Sequence, residues 1–225
     1  MNISLTKKDI DGLVRHYEDR YKQYGYSQKT LDWDKGKQDI RFSLLTSRFD
    51  LRNKRIVDIG CGFGDLNTTL QRQYGDEYSY FGIDVVPSFI NEATTRYGND
   101  RVAFHCGNYL EMDMEPFDYA FCSGMFNLKM TSTDNMEFIR SVFEKTYQSC
   151  REGFAFNFLS DKVDYTKENT FHSSPESILA LGYSYSRNVA IDNSYMPFEF
   201  SFFLRKDDSF DPSLTIFKLF LKELP

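Results

Sequence analysis

The stretch RIVDIGCGFGDL, Arg55 to Leu66, sets Asp58 two residues before Gly60, with Gly62 and Gly64 following at alternate positions. An apolar run leads into it. It reads as a strand ending in a glycine turn, where the backbone takes positive φ and lets a ligand come close. A dinucleotide turn carries glycines as G-x-G-x-x-G, and here the third position is Asp65. A carboxylate at Asp58 makes the local potential negative, which repels a pyrophosphate and attracts a cation. A ligand with an ammonium and a sulfonium fits this turn; NAD does not. The next strand ends at Asp84, 20 residues after Gly64, where a carboxylate can accept two hydrogen bonds from a ribose diol. The third strand runs into HCGNYLEM, where Asn108 can meet an adenine amino group with Tyr109 beside it. The fourth runs into CSGMFNLK, where Ser123 and Gly124 leave room over the donor's methyl.

VDIGCGFGDL, YFGIDVVPSFI, HCGNYLEM and FDYAFCSGMFNLK resemble the successive motifs of class I S-adenosylmethionine-dependent methyltransferases in residue type, order and spacing, over about residues 55–205. The resemblance implies a doubly wound, Rossmann-like α/β fold with a seven-stranded sheet and an antiparallel last strand. It implies S-adenosyl-L-methionine as cofactor, with S-adenosyl-L-homocysteine as product. It also implies that Asp58, Gly60, Gly62, Asp84, Asn108 and Tyr109 hold the cofactor; Cys61, Val85 and Ser123, in the same turns, are counted with them. The family more often has Asp where this chain has Asn108. Asp32-Trp33, Ile40 to Phe42, SGMFN and AFNFLS resemble a group of bacterial, small-molecule methyltransferases.

Methyl transfer from a sulfonium needs alignment and dryness more than a catalytic side chain; a general base is needed only for a hydroxyl or a protonated amine. Acceptor contacts are expected at strand ends and in the N-terminal extension. Asn127 and Lys129 follow the fourth strand. Asn157 and Asp161 lie on or after the fifth, and Tyr165, Phe171 and His172 in the loop beyond. His172 is the candidate base, or an ordinary loop histidine. Trp33 is a ligand-facing wall, or packs the extension. Arg41 binds the cofactor carboxylate or an anionic substrate.

These residues need elements to position them. Leu13, Val14, Tyr17, Tyr21 and Tyr24 recur at helical spacing within 5–25, and Ile40, Leu44, Leu45 and Phe49 within 37–51. Residues 25–36 read as a loop. Strands are expected at 55–60, 77–84, 101–107, 117–124, 153–159, 183–191 and 198–206, the last two antiparallel because a short turn joins them. Helices are expected at 65–75, 87–98, 132–150 and 174–182. The alternation means a mostly parallel sheet covered on both faces. We expect one domain over 1–225: a helical lid at 1–54, a cofactor-binding core at 55–206 and a tail at 207–225. The tail repeats Leu214, Phe217, Leu221 and Leu224, a helix for packing on the sheet or for a partner.

Composition removes other classes. No segment nears the roughly 18 apolar residues of a membrane span, and the N-terminus has no signal-peptide apolar region, so a cytoplasmic protein is expected. Cys61, Cys106, Cys122 and Cys150 are scattered and read as buried, reduced thiols. The three histidines form no metal motif, so no metal is expected. Net charge is −6, which makes nucleic acid an unlikely partner. It is uneven: residues 1–55 hold 13 Lys and Arg against 8 Asp and Glu, the remainder 14 against 25. SGMF stands where base-amino methyltransferases carry [DNS]PP[YFW]. The reading is a methyltransferase acting on a small-molecule acceptor, as monomer or homodimer. Two other classes stay open: a tRNA or rRNA methyltransferase using the basic first quarter, and a non-catalytic S-adenosylmethionine-binding subunit docking through its tail.

Overall fold

The computed structural model describes residues 5–33 and 36–223. Seven strands form one sheet in the order β3-β2-β1-β4-β5-β7-β6. They are β1 Lys54–Ile59, β2 Tyr78–Asp84, β3 Val102–Cys106, β4 Phe117–Ser123, β5 Cys150–Leu159, β6 Val189–Asp192 and β7 Glu199–Arg205. β7 is antiparallel to both neighbours and the remaining pairs are parallel. The order reverses at β1, so its carboxyl end and that of β4 open the crevice where doubly wound sheets bind ligands. The helices are α1 Lys7–Tyr24, α2 Gln38–Thr46, α3 Leu66–Tyr74, α4 Pro87–Tyr97, α5 Asn135–Ser149, α6 Pro175–Tyr183 and α7 Lys218–Glu223. None of the described helices is long and apolar enough to cross a membrane.

β5 shows how side-chain alternation builds the two layers. Phe154, Phe156 and Phe158 point to one face, where they pack with Phe143 of α5 and with Phe200 and Phe202 of β7. Ala155 points the other way, into the cluster of Phe42, Leu45, Phe49 and Phe203. Most of the unusual phenylalanine content is therefore core. Side-chain caps start three helices: Thr6 accepts from the Asp9 N–H, Asp134 from Glu137 and Ser174 from Ser177.

Several expectations are corrected. Residues 183–188 are not strand: α6 runs to Tyr183, and the backbone turns back on Leu181 and Gly182 before β6 starts at Val189. β5 starts at Cys150, directly after α5. On α2 the buried face is Gln38, Arg41, Phe42, Leu45 and Thr46, whereas Ile40 is 46% exposed. The tail is a two-strand ladder, β8 Phe210–Asp211 with β9 Ile216–Phe217, ahead of α7. Leu224 lies outside the described residues, as do Asp34 and Lys35 of the 25–36 loop. Cys106 is exposed at the β3 end, unlike the other three cysteines, because β3 is the sheet edge.

The glycine turn after β1 has φ of +71° at Gly60, +56° at Gly62 and +75° at Gly64. At Gly64 space is closed as well: an added Cβ would lie 2.5 Å from the Phe104 ring. Gly64→Ala is expected to cost about 2–4 kcal/mol, combining left-handed strain with overpacking. Urea titration measures it, and a loss under about 0.5 kcal/mol, the scatter of ordinary surface changes, would show that the turn tolerates a side chain.

Candidate functional site

The crevice is built from strand ends. The N–H groups of Gly60 and Cys61 both donate to Ile83 O, at 2.8 and 3.0 Å, folding the turn over β2. The Gly62 N–H donates to Asp84 Oδ2 at 2.9 Å, and the Val86 N–H to Asp84 Oδ1 at 3.0 Å. Each Asp84 oxygen thus keeps acceptor capacity, and the carboxylate is oriented by backbone on both sides. Burial raises the Asp84 pKa, opposed by the Gly62, Val86 and Val85 N–H groups. Asp58, 2% exposed, accepts from the Tyr80 hydroxyl at 2.6 Å. Burial pushes its pKa up to about 7; the Tyr80 bond opposes this, and the charges of Asp84 and Asp65 add to it. Burial also raises the Cys61 thiol well above its ordinary value, so it is a neutral wall rather than a nucleophile.

Further along the crevice, Asn108 caps a single 3₁₀ turn. Its Oδ1 accepts from the Leu110 N–H and its Nδ2 donates to Glu111. Tyr109 offers its ring to the cavity and sends its hydroxyl to Thr146, 3.2 Å away in α5. Ser123, Val85 and Cys61 line the same cavity. The structure therefore brings together every expected cofactor residue except Arg41. The Arg41 guanidinium bonds both oxygens of Glu199 and stacks 3.8 Å from the Trp33 ring centre. Its charge is matched in the interior, 158 residues away in sequence, which is a correction to the reading of Arg41 as a ligand for an anion.

The expected acceptor residues divide. Trp33 lines the cavity and lies against Gly124, where an added Cβ would come within 2.7 Å of the indole. The others do not line it. Asn157 is fully buried behind the wall, its amide donating to the Tyr195 hydroxyl at 2.7 Å. Asn127 Oδ1 accepts from the Leu159 N–H, and Phe171 N–H donates to Asn127 O, tying two loops together. Lys129 is exposed, Asp161 pairs with Lys162, and Tyr165, 58% exposed, packs against Phe198. His172 is held between Ser160 O at 2.7 Å and the Thr170 hydroxyl at 3.0 Å. That is loop architecture, not a base facing the crevice.

A strap made of α1 and the loop to Trp33 covers the crevice, contributing Leu5, Leu13, Tyr17 and Leu31 to its lining. It is fastened at both ends. The only buried residue of α1 is Asp9. Its carboxylate accepts from the N–H groups of Thr131 and Ser132 and from the hydroxyls of Thr6, Thr131 and Thr133. Burial raises the Asp9 pKa, but these hydrogen bonds outweigh it and hold the carboxyl well below the ordinary range. Glu18 accepts from the Ser88 N–H, the Tyr21 hydroxyl donates to Glu92, and the Tyr26 hydroxyl donates to Asp65 at 2.6 Å. His16 and Arg20 fix Asp32 to the helix.

Asp9→Ala strands two backbone donors, so a loss of about 2–4 kcal/mol is expected, with faster proteolysis within 5–33. The sign with pH follows from the lowered pKa. The wild-type contribution is full at neutral pH and fades as pH falls below about 4, while the variant lacks that acid-sensitive part. Unchanged proteolysis would show that the clasp does not hold the strap.

Sequence reasoning missed Tyr17, Leu31, Gln38, Phe42 and Met125 as lining residues. Only Tyr17 lay in an expected helical stripe, which reports a buried face without saying whether it meets a core or a crevice; Leu31, Gln38, Phe42 and Met125 lay outside the expected stripes and carried no local signal.

The fold and site define a doubly wound α/β domain with an acidic, strap-covered crevice at the β1 switch point. Residues 56–149 match the family model described as methyltransferase domain. That match covers less than half of the chain; it marks a methyltransferase domain there, and solved structures of S-adenosylmethionine-dependent methyltransferases share the fold. Among solved structures it is similar to magnesium protoporphyrin IX methyltransferase from Synechocystis PCC 6803 with bound S-adenosylhomocysteine. The TM-score there is 0.63 at 13% identity, over 88% of this chain and 99% of that one. It is also similar to human N-acetylserotonin methyltransferase in complex with S-adenosylmethionine, with TM-score 0.64 and 13% identity over 89% and 59% of the two chains. At such identities the likeness is one of fold. A curated relative, the U6 snRNA methylphosphate capping enzyme Amus of Drosophila melanogaster, is 30% identical over 156 residues. That match spans 59% of this chain and about half, 49%, of the relative.

Proposed function

We propose that the chain transfers a methyl group from S-adenosylmethionine to a small, uncharged acceptor enclosed under the N-terminal strap. In this reading residues 55–206 are the donor-binding core, 1–54 the strap and 207–225 a tail. Asp84 accepts from the ribose hydroxyls, Asp58 meets the ammonium, and Asn108 and Tyr109 flank the adenine. The residues present fit the donor. The glycine turn lets backbone approach, Asp84 keeps lone pairs, and the negative potential at Asp58 suits the donor's ammonium and sulfonium. Bound there, the donor supplies an activated methyl on sulfur, which leaves as a neutral thioether when the acceptor's lone pair bonds to the methyl carbon in line.

The observation that carries the reading is the charge of the lining. Among the described residues it holds two carboxylates, Asp58 and Asp84, and no Lys, Arg or His. An anionic acceptor is repelled from such a wall, and a cationic donor is drawn to it. Among the described residues the lining holds no Lys or His, and in this reading Asp58 and Asp84 are engaged with the donor, so the acceptor atom attacks with its own lone pair. The strap contributes dryness and alignment.

The likeness to a capping enzyme favours an RNA acceptor. Against it stands the pairing of the basic first quarter. Of its 13 Lys and Arg, at least six (Arg20, Lys22, Arg41, Arg48, Arg52 and Lys54) sit against carboxylates. Glu77, Glu152, Asp192 and Glu199 of the acidic remainder supply four of these. Charge already matched within the chain contributes little to phosphate neutralisation. The test is incubation with labelled S-adenosylmethionine and, separately, a metabolite extract and total RNA. We expect label in a small product heavier by one methylene. Label in RNA alone would overturn the small-molecule reading.

A further inference from the structure

Arg41 and Glu199 form an ion pair inside the molecule, 5% and 7% exposed. The Arg41 Nε donates to Glu199 Oε2 at 2.6 Å and its Nη2 to Glu199 Oε1, so the guanidinium is held as a fork. Glu199 Oε2 also accepts from the Asn157 amide at 3.4 Å. Asn157 pairs in register with Ser123 across β5 and β4, and Ser123 lines the crevice. The ion pair therefore lies behind the crevice wall, and Arg41 itself is not part of the lining.

Two opposite charges taken out of water gain little net stability over apolar side chains of similar volume. The effect of this pair lies in what it touches. The guanidinium stacks 3.8 Å from the centre of the Trp33 ring. Its Nη1 donates to Gly36 O at 3.4 Å, and the Gly36 N–H donates to Trp33 O at 3.0 Å. One side chain of α2, aimed by a carboxylate of β7, thus fixes both the ring and the backbone of the last residue of the strap. The same indole lies against Gly124, directly after β4, where an added Cβ would come within 2.7 Å of it. A guanidinium over an indole is attractive by about 0.5–2 kcal/mol, and its bidentate bond to a carboxylate sets the plane in which it stacks. A lysine ammonium, a point charge, sets no such plane.

We infer that Arg41, aimed by Glu199, is a positioning residue for methyl transfer: it holds Trp33 against Gly124 as the wall that the acceptor meets. The inference rests on the small-acceptor reading above. Arg41 and Glu199 touch neither reactant and act through the indole. A loose indole lets the acceptor tilt and lets water in, and misplacement by about 1 Å costs on the order of 100-fold in rate. The ion pair also ties the seating of the strap to β7, so the crevice is complete only when the first and last quarters of the chain are docked together.

Trp33 is the only tryptophan of the chain, so its emission reports on this contact alone. Wild type is compared with Arg41→Lys and with the double variant Arg41→Met/Glu199→Gln, which removes both charges and leaves no buried ion unpaired. Three quantities are measured: acrylamide quenching of the Trp33 emission, calorimetric binding of S-adenosylhomocysteine, and the rate of label transfer from S-adenosylmethionine to the small product of a metabolite extract. In both variants quenching should steepen by about twofold or more as the stack is lost. S-adenosylhomocysteine binding should stay within about threefold of wild type, which also shows that the fold is kept, while transfer slows about tenfold or more. Wild-type transfer in the double variant overturns the inference, and so does unchanged quenching. Arg41→Lys with wild-type transfer overturns it as well, since charge without the fork would then suffice. A loss of S-adenosylhomocysteine binding equal to the loss of transfer also overturns it, because the pair would then serve the donor site or the fold. All four results leave the small-acceptor reading standing. A wild type that binds S-adenosylhomocysteine and labels no small product brings down that reading, and the inference with it.

Discussion

Asp84→Ala is expected to weaken S-adenosylhomocysteine binding by a factor of 100 or more. The carboxylate has one backbone N–H on each oxygen, so its remaining lone pairs face the crevice in a fixed direction. Two hydrogen bonds from a ribose diol to a charged acceptor contribute about 1.5–3 kcal/mol each, against about 1.4 kcal/mol per tenfold in affinity. Truncation also frees the Gly62 N–H, and with it the glycine turn. Asp84→Asn separates the two losses. The amide keeps one oxygen for the Gly62 or the Val86 N–H and gives up the charge, so an intermediate loss of about tenfold is expected. Calorimetry at pH 7.5 reads both. Wild-type affinity in Asp84→Ala would mean that the ribose lies elsewhere.

Asp58→Asn is expected to move two quantities in opposite directions. Burial raises the Asp58 pKa to about 7. A carboxyl whose folded pKa lies above its unfolded value is a stabilising group only while protonated. The empty protein therefore loses stability as pH rises from about 4 to 7, and above 7 carries the full cost of a buried charge. Three pKa units correspond to about 4 kcal/mol at most, so the neutral amide should raise the stability of the ligand-free protein at pH 8 by about 2–4 kcal/mol. At pH 4 the two proteins should be alike. The Tyr80 hydroxyl can still donate to the amide oxygen, so the geometry has a reason to persist.

Donor binding should respond the other way. An ammonium beside Asp58 favours its ionised form, so binding to wild type releases up to one proton and strengthens from about pH 5.5 to 7. The Asn variant should bind roughly 100-fold less tightly, as expected when a close, partly desolvated charge pair is lost, and with a flat pH profile. Titration of S-adenosylhomocysteine in two buffers of different ionisation heat counts the protons. An Asn variant that binds as tightly as wild type, or that keeps the pH slope, would remove Asp58 from the site. The two readouts also separate function from folding, since a mutation that only damaged the protein could not raise its stability.

The glycine turn and the carboxylates proposed to hold the donor were legible because their signals are local. Asp58, Gly60, Gly62 and Asp84 sit at fixed offsets from strand ends, and a strand followed by such a turn brings its own backbone to the crevice wherever the rest of the chain lies. Hydrophobic periodicity likewise placed the seven strands in order, while the start of β5, the extent and buried face of α2, the 183–188 segment and the tail were misassigned. At 183–188, aromatic residues at two-residue spacing fit either a strand or a turn packed on its neighbours, and β6 is too short to impose a pattern.

What lies above the crevice was decided by tertiary structure, because each deciding contact spans most of the chain. Arg41 reads as an anion ligand until Glu199 closes on it from β7. Asp9 reads as an ordinary first-turn helix acid until the 131–133 loop donates to it. Asn157 and His172 read as acceptor contacts until their hydrogen bonds turn them into architecture. The amino-acid sequence alone determined the turn, its two carboxylates and hence the donor, since charge and backbone freedom act within a few residues. Only the folded chain decided which cations were already taken, since electrostatic pairing across a sheet depends on which strands lie side by side.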